Sequence, residues 1–180
     1  MMGGKIMSGE IQLLIDSIKN VYGNEICNWA VSGCKFDNNE EENIKELLNK
    51  ISDMCGDESL DKVLKIRGRQ CISLDLLGKV KVLQEKSNDV YDFIENLNKE
   101  GIPGGEIKIK DNKIIITYPE CLCEHAKKMK LLNVDYCNST VGYLEKLFEY
   151  MFQHEMKVEI IQTALREGEN CTFNISLINN

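Results

Sequence analysis

Four cysteines in the C-terminal half of the chain follow the pattern Cys121-x-Cys123-x13-Cys137-x33-Cys171. Thiolates are soft ligands, and four of them from separate loops can build a tetrahedral zinc site; an iron–sulfur cluster uses the same donor set. Residues i and i+2 of an extended segment face the same side, so Cys121 and Cys123 can point together without a knuckle turn. C-x-C alone is not diagnostic, and ordinary buried thiols account for the same residues. His125, two residues past Cys123, is either a substitute ligand or a surface histidine in a charged loop. Cys71 follows "IRGRQ", where Arg67 and Arg69 could lower its pKa and make it a reactive thiol; packing at a helix end is the alternative. Glu159 sits on an alternating segment, and alternation alone does not set its face.

The elements that must position these residues divide near Pro103-Gly104-Gly105. Residues 1–102 read as a mainly helical region, and 103–180 as an α+β part; the two can form one compact unit. In the first, Ile11, Leu14, Ile15 and Ile18 share a face and Gly23 offers a stop. A shorter apolar segment then ends near Gly33. Ile44, Leu47, Leu48 and Ile51 form the next stripe, and Leu60, Val63 and Leu64 a third, with Asp57 as its expected N-cap. "SNDVYDFIENLNKEG" predicts a helix capped by Ser87 or Asn88, with Val90, Phe93, Ile94 and Leu97 as its inward stripe and Gly101 at its end.

The period then changes from helical to alternating. "EIKIKDNKIIITY" predicts a β-hairpin turning at Asp111-Asn112. A helix capped by Ser139 carries Tyr143, Leu144, Leu147, Phe148 and Met151 on one side. "MKVEIIQTAL" and "CTFNISLI" alternate as strands around "REGEN", where Gly168 can supply a positive φ. The expected fold class is α+β: a helical region, then an antiparallel hairpin–helix–hairpin sheet backed by helices.

The 180 residues carry a net charge of −7 and are 43% hydrophobic and 28% charged, which fits a folded chain. That acidity disfavours a nucleic-acid surface, because phosphate contacts need clustered Lys and Arg. No apolar run approaches the roughly 20 residues of a membrane span, and the N-terminus lacks a signal-peptide core. A cytoplasmic protein is therefore expected, and in a reducing compartment eight cysteines argue against a disulfide framework. G-x-S-x-G, P-loop, dinucleotide and H-E-x-x-H motifs are all absent.

The stretch "YCNSTVGYLEKLFEYMF…VEIIQTALREGENCTFNISL" resembles the C-terminal signature of 4-vinyl reductase-like domains, through Cys137, Gly142, Glu159, Gly168, Cys171 and Phe173. The likeness covers about residues 105–178, and "RGRQC" resembles a Cys-rich family of anaerobic bacteria that shares this part. The resemblance implies a dimeric module that binds a small apolar molecule or senses it. It also implies a structural zinc held by cysteines and an acidic residue. Cys137 and Cys171 match two of those cysteines; the third falls at Thr163, so Cys121 and Cys123 become candidates for the missing ligands. Glu159 would face the pocket or support the metal. The alternative is a redox or hydrolytic enzyme using Cys71 or the Cys121/Cys123 pair.

Overall fold

A computed structural model of the chain describes residues 8–34, 36–37, 39–111, 113–121, 136–166 and 168–178. Helix α1 (Gly9–Ser32) starts where the Ser8 hydroxyl accepts the Ile11 N–H at 3.3 Å, and it bends at Gly23. Gly23 has φ +81°, which a side chain would strain, so the two apolar segments read from the sequence are two arms of one bent element. Helix α2 (Glu40–Cys55) is capped by Asn39 and places three glutamates in its first turn, where the helix dipole favours negative charge. Its stripe Ile44, Leu47, Leu48 and Ile51 is fully buried.

Helix α3 (Asp57–Gln70) buries Leu60, Val63 and Leu64 as the periodicity requires. Asp57 is not its cap: it is the first helical residue, and its carboxylate accepts the Ser52 hydroxyl. Helix α4 (Leu74–Lys86) has no counterpart among the sequence expectations. It buries only Val80 and leaves Leu74 86% exposed, so its sequence carries no clear apolar stripe. Helix α5 (Val90–Lys99) buries Phe93, Ile94 and Leu97 but leaves Val90, the first member of the expected stripe, exposed in its first turn. Its cap is Asp89 rather than Ser87 or Asn88, because the Asp89 carboxylate accepts the Tyr91 and Asp92 N–H groups at 2.8 and 2.9 Å.

Strands β1 (Glu106–Lys110) and β2 (Lys113–Tyr118) form the expected hairpin. Helix α6 (Asn138–Phe152) leads to β3 (Met156–Gln162), a short 3-10 turn at Ala164–Arg166, and β4 (Cys171–Leu177). The four strands make one antiparallel sheet in the order β1-β2-β4-β3. Ile107, Ile116 and Phe173 lie in one cross-strand row, and Ile114, Ile175 and Val158 in another, on the face that meets the helices. Lys108, Ile115, Asn174 and Glu159 form a row on the opposite face. The fold is thus α+β, with helices backing an antiparallel sheet, and one hydrophobic core runs from α1 to β4.

The closest helix crossing is between α3 and α6, at two glycines. A Cβ on Gly142 would lie 2.6 Å from the Lys65 carbonyl carbon and 2.7 Å from its Cα. A Cβ on Gly68 would lie 2.7 Å from the Ser139 carbonyl carbon and 2.9 Å from the Tyr143 nitrogen. The two backbones touch, and ion pairs flank the contact: Lys65–Glu145 at 3.3 Å and Arg69–Glu149 at 2.5 Å. This crossing fixes where α3 and α6 project side chains toward the sheet.

Candidate functional site

Beside the crossing, α3, α6 and the ends of β2 and β4 enclose a cavity of about 330 Å³. From α3 come Arg67, Gly68 and, at its C-cap, Cys71; from α6 and the turn before it come Tyr136, Cys137, Ser139, Thr140 and Tyr143. The sheet side supplies Tyr118, Glu120, Cys121, Cys171 and Phe173, and Pro103 completes the lining. Cys71 and Glu120 are exposed and mark the side open to solvent. The walls are mostly apolar and aromatic, with a few polar groups among them, which is the usual character of a small-molecule site.

Arg67 is the cationic group of the described wall and is 6% exposed. Its Nη1 donates to the Ser139 hydroxyl at 2.5 Å, its Nη2 pairs with the Glu10 carboxylate, and its guanidinium lies 5.3 Å from the centroid of the Tyr136 ring. Burial works against its charge, but Tyr136 and the hydrogen-bonded Glu10 outweigh that and hold its pKa above the ordinary value. Ser139, expected as a helix cap, lies inside α6; the N-cap position is Cys137 and makes no side-chain capping bond. The Ser139 hydroxyl is instead committed to Arg67, because the glycine crossing brings the two helices together there.

The cavity gathers three of the cysteines singled out for metal binding. Cys121, Cys137 and Cys171 are all buried and line the same space. Cys121 and Cys171 interact directly, and burial is the main cause that pushes the Cys171 thiol up, with Cys121 adding to it. The Ala164 N–H donates to Cys171 Sγ at 3.4 Å, which works the other way. Among the described residues no three of His, Cys, Asp and Glu stand close enough to hold a metal ion. Cys121 and Cys171 thus make a pair, and among the described residues no third donor completes a metal site with them. Cys123 and His125 lie outside the described residues. Thr163, the position of the family's third cysteine, is fully buried beside the turn and is not part of the cavity lining.

Two other candidates are placed differently from one another. Cys71 does line the cavity mouth, but of the two arginines only Arg67 acts on its thiol, opposed by Glu10, since Arg69 turns to Glu145 and Glu149. Partial burial dominates and raises the Cys71 pKa despite Arg67, and its Sγ donates to the Arg67 carbonyl at 3.3 Å. Glu159 is exposed on the sheet face opposite the core row, where it pairs with Lys157 at 2.7 Å and accepts from Asn174 at 3.2 Å. Those partners, Lys157 first, lower its pKa. It does not reach the cavity. The sequence does not single out Tyr136, Thr140 or Gly68, and it marks Tyr118 only as a strand residue and Gly142 only as part of the family resemblance; both glycines carry a signal as small residues inside helices.

A bundle of helices docked on a four-stranded antiparallel sheet, with a cavity between them, is similar in fold to H-NOX proteins. The crystal structure of an H-NOX protein from S. oneidensis in the Fe(II)NO ligation state matches 96% of this chain and 100% of its own, with TM-score 0.55 and 14% identity. By sequence the chain belongs to a family of unknown function, DUF6144, whose model matches residues 5–180. The solution structure of the IWP-051-bound H-NOX from Shewanella woodyi in the Fe(II)CO ligation state covers 94% of this chain and 93% of its own, at TM-score 0.49 and 13% identity. A vinyl-4-reductase family protein from Methanocaldococcus jannaschii matches 98% of this chain and 100% of its own, at 13% identity and TM-score 0.37. No curated protein matches the chain.

Proposed function

We propose that this protein binds, and through binding senses, a small apolar molecule in the cavity between α3, α6 and the sheet. The observation that carries this reading is the cavity itself: about 330 Å³, walled by Tyr118, Tyr136, Tyr143 and Phe173, and held open by a helix crossing that cannot close further. Ligand sites of roughly 300–1,000 Å³ are the common range, so the space suits a compact ligand. Titration with the neutral fluorescent probe N-phenyl-1-naphthylamine tests it, in wild type and in Thr140→Phe, which fills the cavity from α6. Saturable binding to wild type that is lost in a folded Thr140→Phe supports the reading. No binding to wild type, or equal binding to both, overturns it.

A second reading is favoured by the Cys121–Cys171 contact: a thiophilic ion, zinc in the first instance, held at that pair. Metal analysis of anaerobically purified protein, compared with Cys121→Ser and Cys171→Ser, tests it; metal content that the variants leave unchanged refutes it.

A further inference from the structure

The cavity contains two phenol groups whose hydroxyls no described residue uses. Tyr118 is 6% exposed, and its ring is fixed edge-on against Phe173, with centroids 6.0 Å apart and planes at 84°. Tyr143 reaches the same space from α6 and is half-buried. Neither hydroxyl makes a hydrogen bond among the described residues. Tyrosine hydroxyls in largely buried positions ordinarily find a partner, since an unmet polar group there is unfavourable. Burial pushes both phenols up, and Tyr118 is raised further by Tyr143 and Cys171, so both are protonated donors at neutral pH.

We infer that the ligand is a small neutral carbonyl compound, a ketone, aldehyde or quinone on an apolar body, whose oxygen accepts hydrogen bonds from Tyr118 and Tyr143. This rests on the cavity being the ligand site. A carbonyl oxygen has two lone pairs and can take both donors. Neutrality follows from the charges around the cavity. Among the described residues the one cationic group of the wall, Arg67, already faces Glu10. A carboxylate entering here would lose its hydration and find no uncompensated positive charge among the described residues. The body of the ligand meets Phe173, Pro103 and the ring of Tyr136, which suit an aromatic or alicyclic frame.

Three ligands of nearly equal shape separate the possibilities: 2-acetonaphthone, 2-ethylnaphthalene and 2-naphthoate. Each is titrated into wild type, Tyr118→Phe, and the double variant Tyr118→Phe/Tyr143→Phe, which keep the rings and remove only the hydroxyls. The ketone is expected to bind wild type on the order of tenfold more tightly than the hydrocarbon, since each neutral hydrogen bond contributes a few-fold. That preference falls in Tyr118→Phe and vanishes in the double variant, while 2-ethylnaphthalene binds all three proteins alike. Equal binding of ketone and hydrocarbon to wild type overturns the carbonyl inference and leaves the cavity reading standing. A preference for 2-naphthoate, or a ketone preference that survives in the double variant, also overturns it. Failure of all three to bind wild type removes the cavity reading together with it.

Discussion

Replacing Gly142 by alanine tests the crossing on which the whole site depends. The added methyl would meet backbone, not a flexible side-chain end: the Lys65 carbonyl carbon at 2.6 Å and Cα at 2.7 Å. Ordinary carbon contacts lie near 3.5–4.0 Å, so α3 and α6 must part by about 1 Å. Overpacking of this kind costs about 1–3 kcal/mol, and the rigid obstacle places it toward the upper end. Alanine's better helix propensity offsets roughly 0.5–1 kcal/mol, leaving a net loss of about 2 kcal/mol. For a chain of this length that lowers Tm by about 4–8 °C. The control is Gly78 in α4, where a Cβ meets nothing within 4 Å. Gly78→Ala should gain roughly 0.5–1 kcal/mol and raise Tm by about 1–4 °C. Urea unfolding followed by circular dichroism measures both variants. The same chemical change should thus have opposite signs at the two positions, and a Gly142→Ala protein as stable as wild type would refute the backbone-contact account.

Two further outcomes follow from contacts outside the cavity and from its thiols. Asn98 ties α5 to β1 by donating to the Ile107 carbonyl and accepting its N–H, both at 2.8 Å. Because Ile107 is 2% exposed, Asn98→Ala leaves both main-chain groups unpaired and should cost about 1–3 kcal/mol in urea unfolding, with Asn98→Asp intermediate because it keeps the acceptor. The Cys27, Cys34 and Cys171 thiols are all raised, by burial first in each case. Raised folded-state values mean that their contribution is fully present below the unfolded thiol pKa, about 8.5, and is lost as pH rises through the folded values. Tm in reducing buffer should therefore decline from about pH 8.5 upward, and a flat or rising profile would contradict it.

Periodicity and punctuation in the sequence determined much of the scaffold. The stripes of α2, α3 and α5, the β1–β2 hairpin and the α6–β3–β4 run all follow from local spacing, because burial of one face is written into consecutive residues, whereas Gly23, read as a stop, is a bend within α1. Caps were less legible. Asp89 displaced its neighbours and Ser139 became a partner of Arg67, since several adjacent polar residues can cap and only the final chain path selects one. Helix α4 was silent because a helix that buries one valine has almost no apolar pattern to read. The cysteines carried a signal by type, and the fold does bring Cys121, Cys137 and Cys171 to one cavity. What they line was decided only in three dimensions. Arg67 and Ser139 are 72 residues apart and meet because two glycines let α3 and α6 touch. Tyr118 and Tyr143 share a cavity because β2 ends beneath that crossing. Local sequence sets which face of each element is apolar; how closely two faces approach depends on both at once, and that approach made the site.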